Sequence, residues 1–290
     1  MKIIAAWKIQ FASLALCAIG FGAPQKVWAH GELLIRIGAA TEKIAVATNS
    51  AQLYLERGEL YREDKNWAAA KADYDQTTAL DPGLSDKVNF CRAKMLDDSG
   101  ELETSRAMFT GILSNSPTDG EALVGRARVL IKLNQRPAAI QDYQNGIEHL
   151  TKPQPEYFLE LAQALSADGK PVEALLSLDQ GIGVYGPLIS LQTFALDLEL
   201  AQKNYDTAIV RVDTIIERSI RKEDWLAKRA DILLAAGRLT EAQKSFEAAL
   251  SAISILPWRL QQGLAMQNLQ SRIGTALSGI TNAPALGKTE

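Results

Sequence analysis

The chain has 290 residues, enough for one large domain or two ordinary ones. Alanine and leucine dominate, and Glu, Lys, Arg and Gln fill the polar positions, a set of strong helix formers that points to an all-α fold. The 31 Lys and Arg against 34 Asp and Glu give a net charge of −3, spread along the chain without a basic stripe or a charged tail, which excludes the electrostatic footprint of a nucleic-acid binder.

The first element is a leader. Lys2 and Lys8 supply positive charge, Ile9–Ala23 is apolar apart from Gln10 and Ser13, and Val27-Trp28-Ala29 ends the segment on a small residue. This is the layout of a secretory signal peptide over 1–29, with cleavage after Ala29 and a periplasmic or secreted destination. The apolar run is short of the ~20 residues that cross a bilayer, so no membrane span is expected. Leu16 before Cys17 is too large for a lipidation site, which leaves Cys91 as the single cysteine of the mature chain and excludes an internal disulfide.

Residues 30–50 follow as a capping helix, amphipathic through Leu33, Leu34, Ile37 and Ile44. From residue 51 the chain repeats. A small residue recurs at Ala70, Ser105, Ala139, Ala174, Ala208 and Ala242, about 34 residues apart. Four residues beyond each stands a large apolar side chain: Tyr74, Phe109, Tyr143, Leu178, Val212 and Phe246. Twelve residues before each is Gly58, Ala93, Ala127, Ala162, Leu196 or Ala230, and between them comes a helix stop at Asn66, Gly100, Asn134, Gly169, Asn204 or Gly237. Each period therefore encodes two antiparallel helices. The small residues let the helices approach, the large one fills the gap to the next pair, and Gly or Asn takes the left-handed turn conformation. Pro82 and Pro117 close the first two units, with Pro153, Pro187 and Pro257 at later junctions.

The six units span 51–84, 86–119, 120–153, 155–188, 189–222 and 223–256. A second cap covers 257–280, where Leu260, Leu264, Leu269, Ile273, Leu277 and Ile280 form one apolar stripe, and 281–290 is a disordered tail. The first unit resembles the tetratricopeptide repeat (TPR) family at Tyr54, Gly58, Tyr61, Trp67, Ala70, Tyr74 and Pro82. It departs from the family with Arg57 for Leu and Thr77 for Ala, and the fifth unit departs with Glu199 and Ile220 for an aromatic and a proline. The resemblance implies a right-handed superhelical solenoid of six helix-turn-helix units with a cap at each end.

No chemistry-bearing motif survives its structural context. Gly181-x-Gly183-x-x-Gly186 matches the dinucleotide fingerprint, but a helix precedes it where a strand is required, so the glycines read as a helix end and inter-repeat turn. Asp97-Asp98 and Glu63-Asp64 read as solvated faces, His149 as a surface residue, and Trp67 and Trp225 as repeat packing. His30, freed by cleavage, would pair an amine with an imidazole and could chelate copper or nickel, a metal-handling alternative that lacks further ligands. No enzyme and no cofactor are expected.

What the resemblance implies about function is binding. In TPR arrays the first helices line a concave groove, and the groove positions here are Gln52, Leu55, Glu59, Arg62, Lys87, Phe90, Lys94, Asp97, Val124, Arg128, Ile131, Leu159, Gln163, Thr193, Asp197, Asp231 and Leu234. The partner set drawn from them is Glu59, Arg62, Lys87, Phe90, Lys94, Arg128, Gln163, Asp197 and Asp231. TPR domains that clamp the C-terminal carboxylate of chaperones use Lys and Asn where this chain has Leu55, Glu59, Phe90 and Lys94, so that clamp is absent. Lys87, Lys94 and Arg128 are expected to attract an acidic peptide or protein segment. The reading is an interaction scaffold of the cell envelope, with a structural subunit working through its convex face as the alternative.

Overall fold

The structure, a computed structural model, describes residues 24–282 and the side chains of 31–281. Most of the expected leader, the His30 side chain and nearly all of the expected tail lie outside the described residues. Every regular element among the described residues is helical. The chain forms two compact units, one ending at Glu101 and the other beginning at Leu102.

The first unit holds α1 (Pro24–Val46), α2 (Ala51–Glu63), α3 (Trp67–Leu80) and α4 (Ser85–Ser99), with a 3-10 turn at Pro82–Leu84. α2 and α3 form an antiparallel hairpin, α1 packs on α2, and α4 packs on α2 and α3. Gly58 and Tyr74 explain the close fit: a Cβ on Gly58 would lie 2.7 Å from the Tyr74 ring, which is fully buried. Burying a ring of this size contributes about 1.5–3 kcal/mol. From α1, Ile37, Ala40 and Ile44 face inward, while Leu34, expected on that face, is half exposed.

Two of the departures from the family pattern, Arg57 and Thr77, both bond to Asp73. Arg57 donates to both carboxylate oxygens of Asp73 at 2.8 and 2.7 Å, lies 5.6 Å from the rings of Tyr54 and Tyr61, and reaches Thr41 of α1 at 3.2 Å. Thr77 donates to the Asp73 carbonyl at 2.8 Å. Two repeats on, Arg126 makes the same bonds to Asp142 and Thr110. Thr110 lies on the second helix of its repeat, so α1 stands toward α2 as such a second helix stands toward the hairpin that follows it.

The second unit holds α5 (Leu102–Asn115) and four hairpins: α6 (Gly120–Lys132) with α7 (Arg136–His149), α8 (Pro155–Ala167) with α9 (Pro171–Tyr185), α10 (Ile189–Ala201) with α11 (Tyr205–Arg218), and α12 (Glu223–Ala235) with α13 (Leu239–Ser254). The short α14 (Trp258–Gln261) and α15 (Leu264–Asn282) follow. The repeated small positions Ala127, Ala139, Ala162, Ala174, Ala208, Ala230 and Ala242 are fully buried, as are Leu178, Val212 and Phe246. Pro155 and Pro171 open helices, where a missing N–H costs nothing.

Three expectations change. Asn66 and Asn204 are not the left-handed residues; Lys65 and Lys203 are, at φ 60° and 59°. Each Asn instead takes the N-cap of the next helix, and the Asn66 side chain accepts from the Ala69 N–H at 3.3 Å. Gly181 and Gly183 lie inside α9; only Gly186, at φ 77°, serves the turn, and a Cβ on Gly181 would strike Phe158 at 2.9 Å. The expected single C-terminal stripe is broken at Gln262-Gly263, with the Gln261 side chain donating to the carbonyls of Ser254 and Leu256. In the new register Met266, Leu269 and Ile273 are buried against α13, while Leu260 and Leu264 are exposed.

Candidate functional site

In the first unit α2 presents Gln52, Glu56, Glu59 and Glu63 at helical spacing along one face, and α4 presents Lys87, Phe90, Cys91 and Lys94 along another. These side chains, with Leu55, Leu60 and Arg36 of α1, line a cleft of about 470 Å³. Six of the expected groove positions, Gln52, Leu55, Glu59, Lys87, Phe90 and Lys94, meet there. The floor is apolar, from Leu55, Leu60, Phe90 and Cys91. The rim carries three carboxylates (Glu56, Glu59, Glu63) and three cations (Arg36, Lys87, Lys94), which balance.

Most of that charge is engaged within the fold. Glu59 accepts from the Tyr74 hydroxyl at 2.5 Å, from Arg62 at 3.1 Å and from Lys94 at 3.2 Å. Arg62 also pairs with Asp98, and Arg36 with Glu63 at 3.5 Å. Burial pushes the Glu59 carboxyl up, but the bonds from Arg62 and Tyr74 and the charge of Lys94 more than offset it, and its pKa lies below the ordinary value. Burial and the neighbouring Glu59 carboxylate push the Cys91 thiol up to about 12, which removes the thiolate that reactivity needs. Lys87 is exposed and makes no ion pair or hydrogen bond among the described residues.

In the second unit Arg128 is held in a two-bond fork by Glu160 at 2.9 and 3.0 Å, over the Tyr157 ring at 5.2 Å. Asp231 pairs with Arg272 of α15 at 2.7 Å, while Gln163 and Asp197 are exposed. Val124, expected in the groove, is fully buried. The expectation of Lys87, Lys94 and Arg128 as free cations is therefore corrected: two of the three are neutralised by Glu59 and Glu160, and Lys87 alone remains available. Sequence reasoning missed Arg36, Glu56, Leu60, Glu63 and Cys91. Helical spacing from Gln52 and Glu59 would have found Glu56 and Glu63; Arg36 needed the docking of α1.

A second cleft, of about 510 Å³, lies among α9, α10 and α11 over a charged network. Arg211 donates to Glu199 at 2.7 Å, to Gln192 at 2.9 Å and to Asp179 at 3.2 Å. Glu199 and Gln192 are buried, so this network belongs to the repeat's own interior, where Glu199 Oε2 and Arg211 Nε are left without a hydrogen-bond partner among the described residues. Among the described residues no group of three His, Cys, Asp or Glu is placed to hold a metal ion, and no helix is long and apolar enough to cross a membrane.

Comparison with known proteins agrees with this architecture. The chain is similar to the C-terminal part of a TPR repeat-containing protein from Cytophaga hutchinsonii, at 16% identity over 82% of this chain and 96% of the other, with a TM-score of 0.59. It is similar to PilF of Pseudomonas aeruginosa, at 16% identity over 77% of this chain and 97% of that one, TM-score 0.54. It is also similar to the MamA protein, at 15% identity over 59% of this chain and 93% of MamA, TM-score 0.51. No family model matches the sequence, and no curated protein does. The chain has the tetratricopeptide-repeat fold, an all-α helical-repeat solenoid.

Proposed function

We propose that the protein is a non-enzymatic interaction scaffold that docks a peptide segment of a partner protein in the cleft between α2 and α4. The observation that supports this is the convergence of six groove positions on one cleft with an apolar floor and a single unpaired cation, Lys87. An extended or helical segment placing an apolar side chain over Leu55 and Phe90, with a carboxylate toward Lys87, fits that chemistry. The leader over 1–29 supports export, so the partner is sought in the periplasm or outside the cell, as a protein of envelope assembly or secretion.

The reading is tested with peptides selected from a random library on the whole protein. Selected peptides should carry an acidic residue beside an apolar one. Lys87→Glu should weaken their binding at least about tenfold, the loss of one well-placed charged contact, while Lys71→Glu on the exposed face of α3 leaves it unchanged. Peptides that bind both variants equally would place recognition elsewhere.

A further inference from the structure

Successive helices of the second unit alternate in direction, so its connections leave from two opposite ends in turn. One end carries 133–135, 168–170, 202–204 and 236–238, which read Leu-Asn-Gln, Asp-Gly-Lys, Gln-Lys-Asn and Ala-Gly-Arg; no large apolar side chain is exposed within these connections, and Val172 and Leu239 are exposed in the first turns of α9 and α13. The other end carries 116–119, 150–154, 186–188, 219–222 and 255–263. There Ile220 is 99% exposed, Ile255 82% and Trp258 69%, and Leu264 at the start of α15 is 73% exposed. The Arg221 guanidinium lies 3.8 Å from the Met266 sulfur, which brings the Ile220 connection beside the start of α15.

The charge on this end has one sign in its last connection and is balanced in the one before. From Ala248 to Thr289 the sequence contains no Asp or Glu, and Arg259 lies 6.0 Å from the Trp258 ring. Around Ile220 the exposed cations are Arg218, Arg221 and Lys222; the acids are Glu217 and Asp224, both exposed, and Glu223, which is buried and paired with Arg221. Isoleucine, leucine and tryptophan side chains that stand out at turns, with cations beside them, suit the boundary between acyl chains and anionic headgroups.

We propose that this end of the second unit is a membrane-contact edge, which seats Ile220, Ile255, Trp258 and Leu264 in the surface of an anionic lipid bilayer. The proposal stands apart from the cleft in the first unit: either can fail without the other. The edge leaves that cleft for a protein partner and tethers the scaffold by reversible adsorption, since four side chains fall far short of a span.

The test is sedimentation of the full chain with phosphatidylcholine vesicles with and without phosphatidylglycerol. The triple variant Ile220→Ser/Ile255→Ser/Trp258→Ser changes only exposed side chains, and an unaltered thermal melt shows that it folds. Expected are preferential binding to the anionic vesicles, a loss of at least about tenfold in the triple variant, and a flattened salt dependence in Arg218→Gln/Lys222→Gln/Arg259→Gln. Binding retained in full by the triple variant belongs to the apolar leader and overturns the proposal. So does absence of anionic preference, or a wild-type chain that self-associates or takes up a soluble protein through these residues and ignores lipid.

Discussion

The hairpins α2–α3 and α10–α11 occupy equivalent places in the repeat, yet they stabilise the helix–helix contact with opposite charge arrangements. In α2–α3 the cation, Arg57, is on the first helix and the anion, Asp73, on the second. In α10–α11 the anion, Glu199, is on the first helix and the cation, Arg211, on the second, at the position Asp73 holds in its own hairpin. Both pairs are nearly closed to solvent. Where this interface carries a charge, an opposite charge meets it and the sign on each helix is free; α9 and α13 instead place Ser177 and Ser245 at this position, bonded to the Phe158 and Leu226 carbonyls. The pairs also explain why the family's apolar pattern fails where it does: Arg57 and Glu199 each replace a hydrophobe, and each comes with its partner.

The largest effect follows from breaking one partner. Arg211→Met leaves the buried Glu199 without its cation and should cost about 3–5 kcal/mol in urea unfolding, with Arg57→Met costing a similar amount through Asp73. If the interface asks only for neutrality, Glu199→Leu/Arg211→Met recovers most of the loss; a double variant as unstable as the single one breaks the comparison. Next comes packing. Gly58→Ala pushes a Cβ into the Tyr74 ring and should cost about 1–3 kcal/mol, whereas the equivalent Leu196 of α10 already carries a full side chain.

Acid sharpens the contrast further. The Glu59 pKa is lowered in the fold, so the stability it contributes is complete above about pH 5 and is lost as pH falls through about 4 toward that lowered value. Circular dichroism against pH should show this loss, and Glu59→Gln should reduce it. The smallest effect concerns the turns. Lys65 and Lys203 both adopt the left-handed conformation that costs a side chain about 1 kcal/mol, so Lys65→Gly and Lys203→Gly should each raise the melting temperature by a few degrees at most. A drop in either would show that the lysine side chain contributes more than its backbone strain.

The parts of the fold that were legible in the sequence are those set by local rules. Small and large residues held in phase over two hundred residues place each helix, because close approach needs Ala or Gly and the gap beside it needs an aromatic or branched aliphatic. The groove positions came from the family resemblance; six of them meet in the cleft of the first unit, while Val124 is buried. Legibility ended where a residue's neighbour lies outside its own repeat. Lys94 and Arg128 read as binding cations until Glu59 and Glu160 closed on them, and Leu260 and Leu264 read as core until the break at Gly263 rotated the last helix.

The sequence by itself determined the period, the helical content and the repeated small and large core positions, because these follow from side-chain size and turn chemistry within a few residues. Tertiary structure alone decided which charges are spent inside the protein and which stay available. A charge's availability is set by what packs against it, and for Glu59, Arg62, Arg128 and Arg211 that partner comes from another helix. It also decided that the apolar residues of the second unit's last connections face outward, since only the docked register of α15 tells a buried leucine from an exposed one.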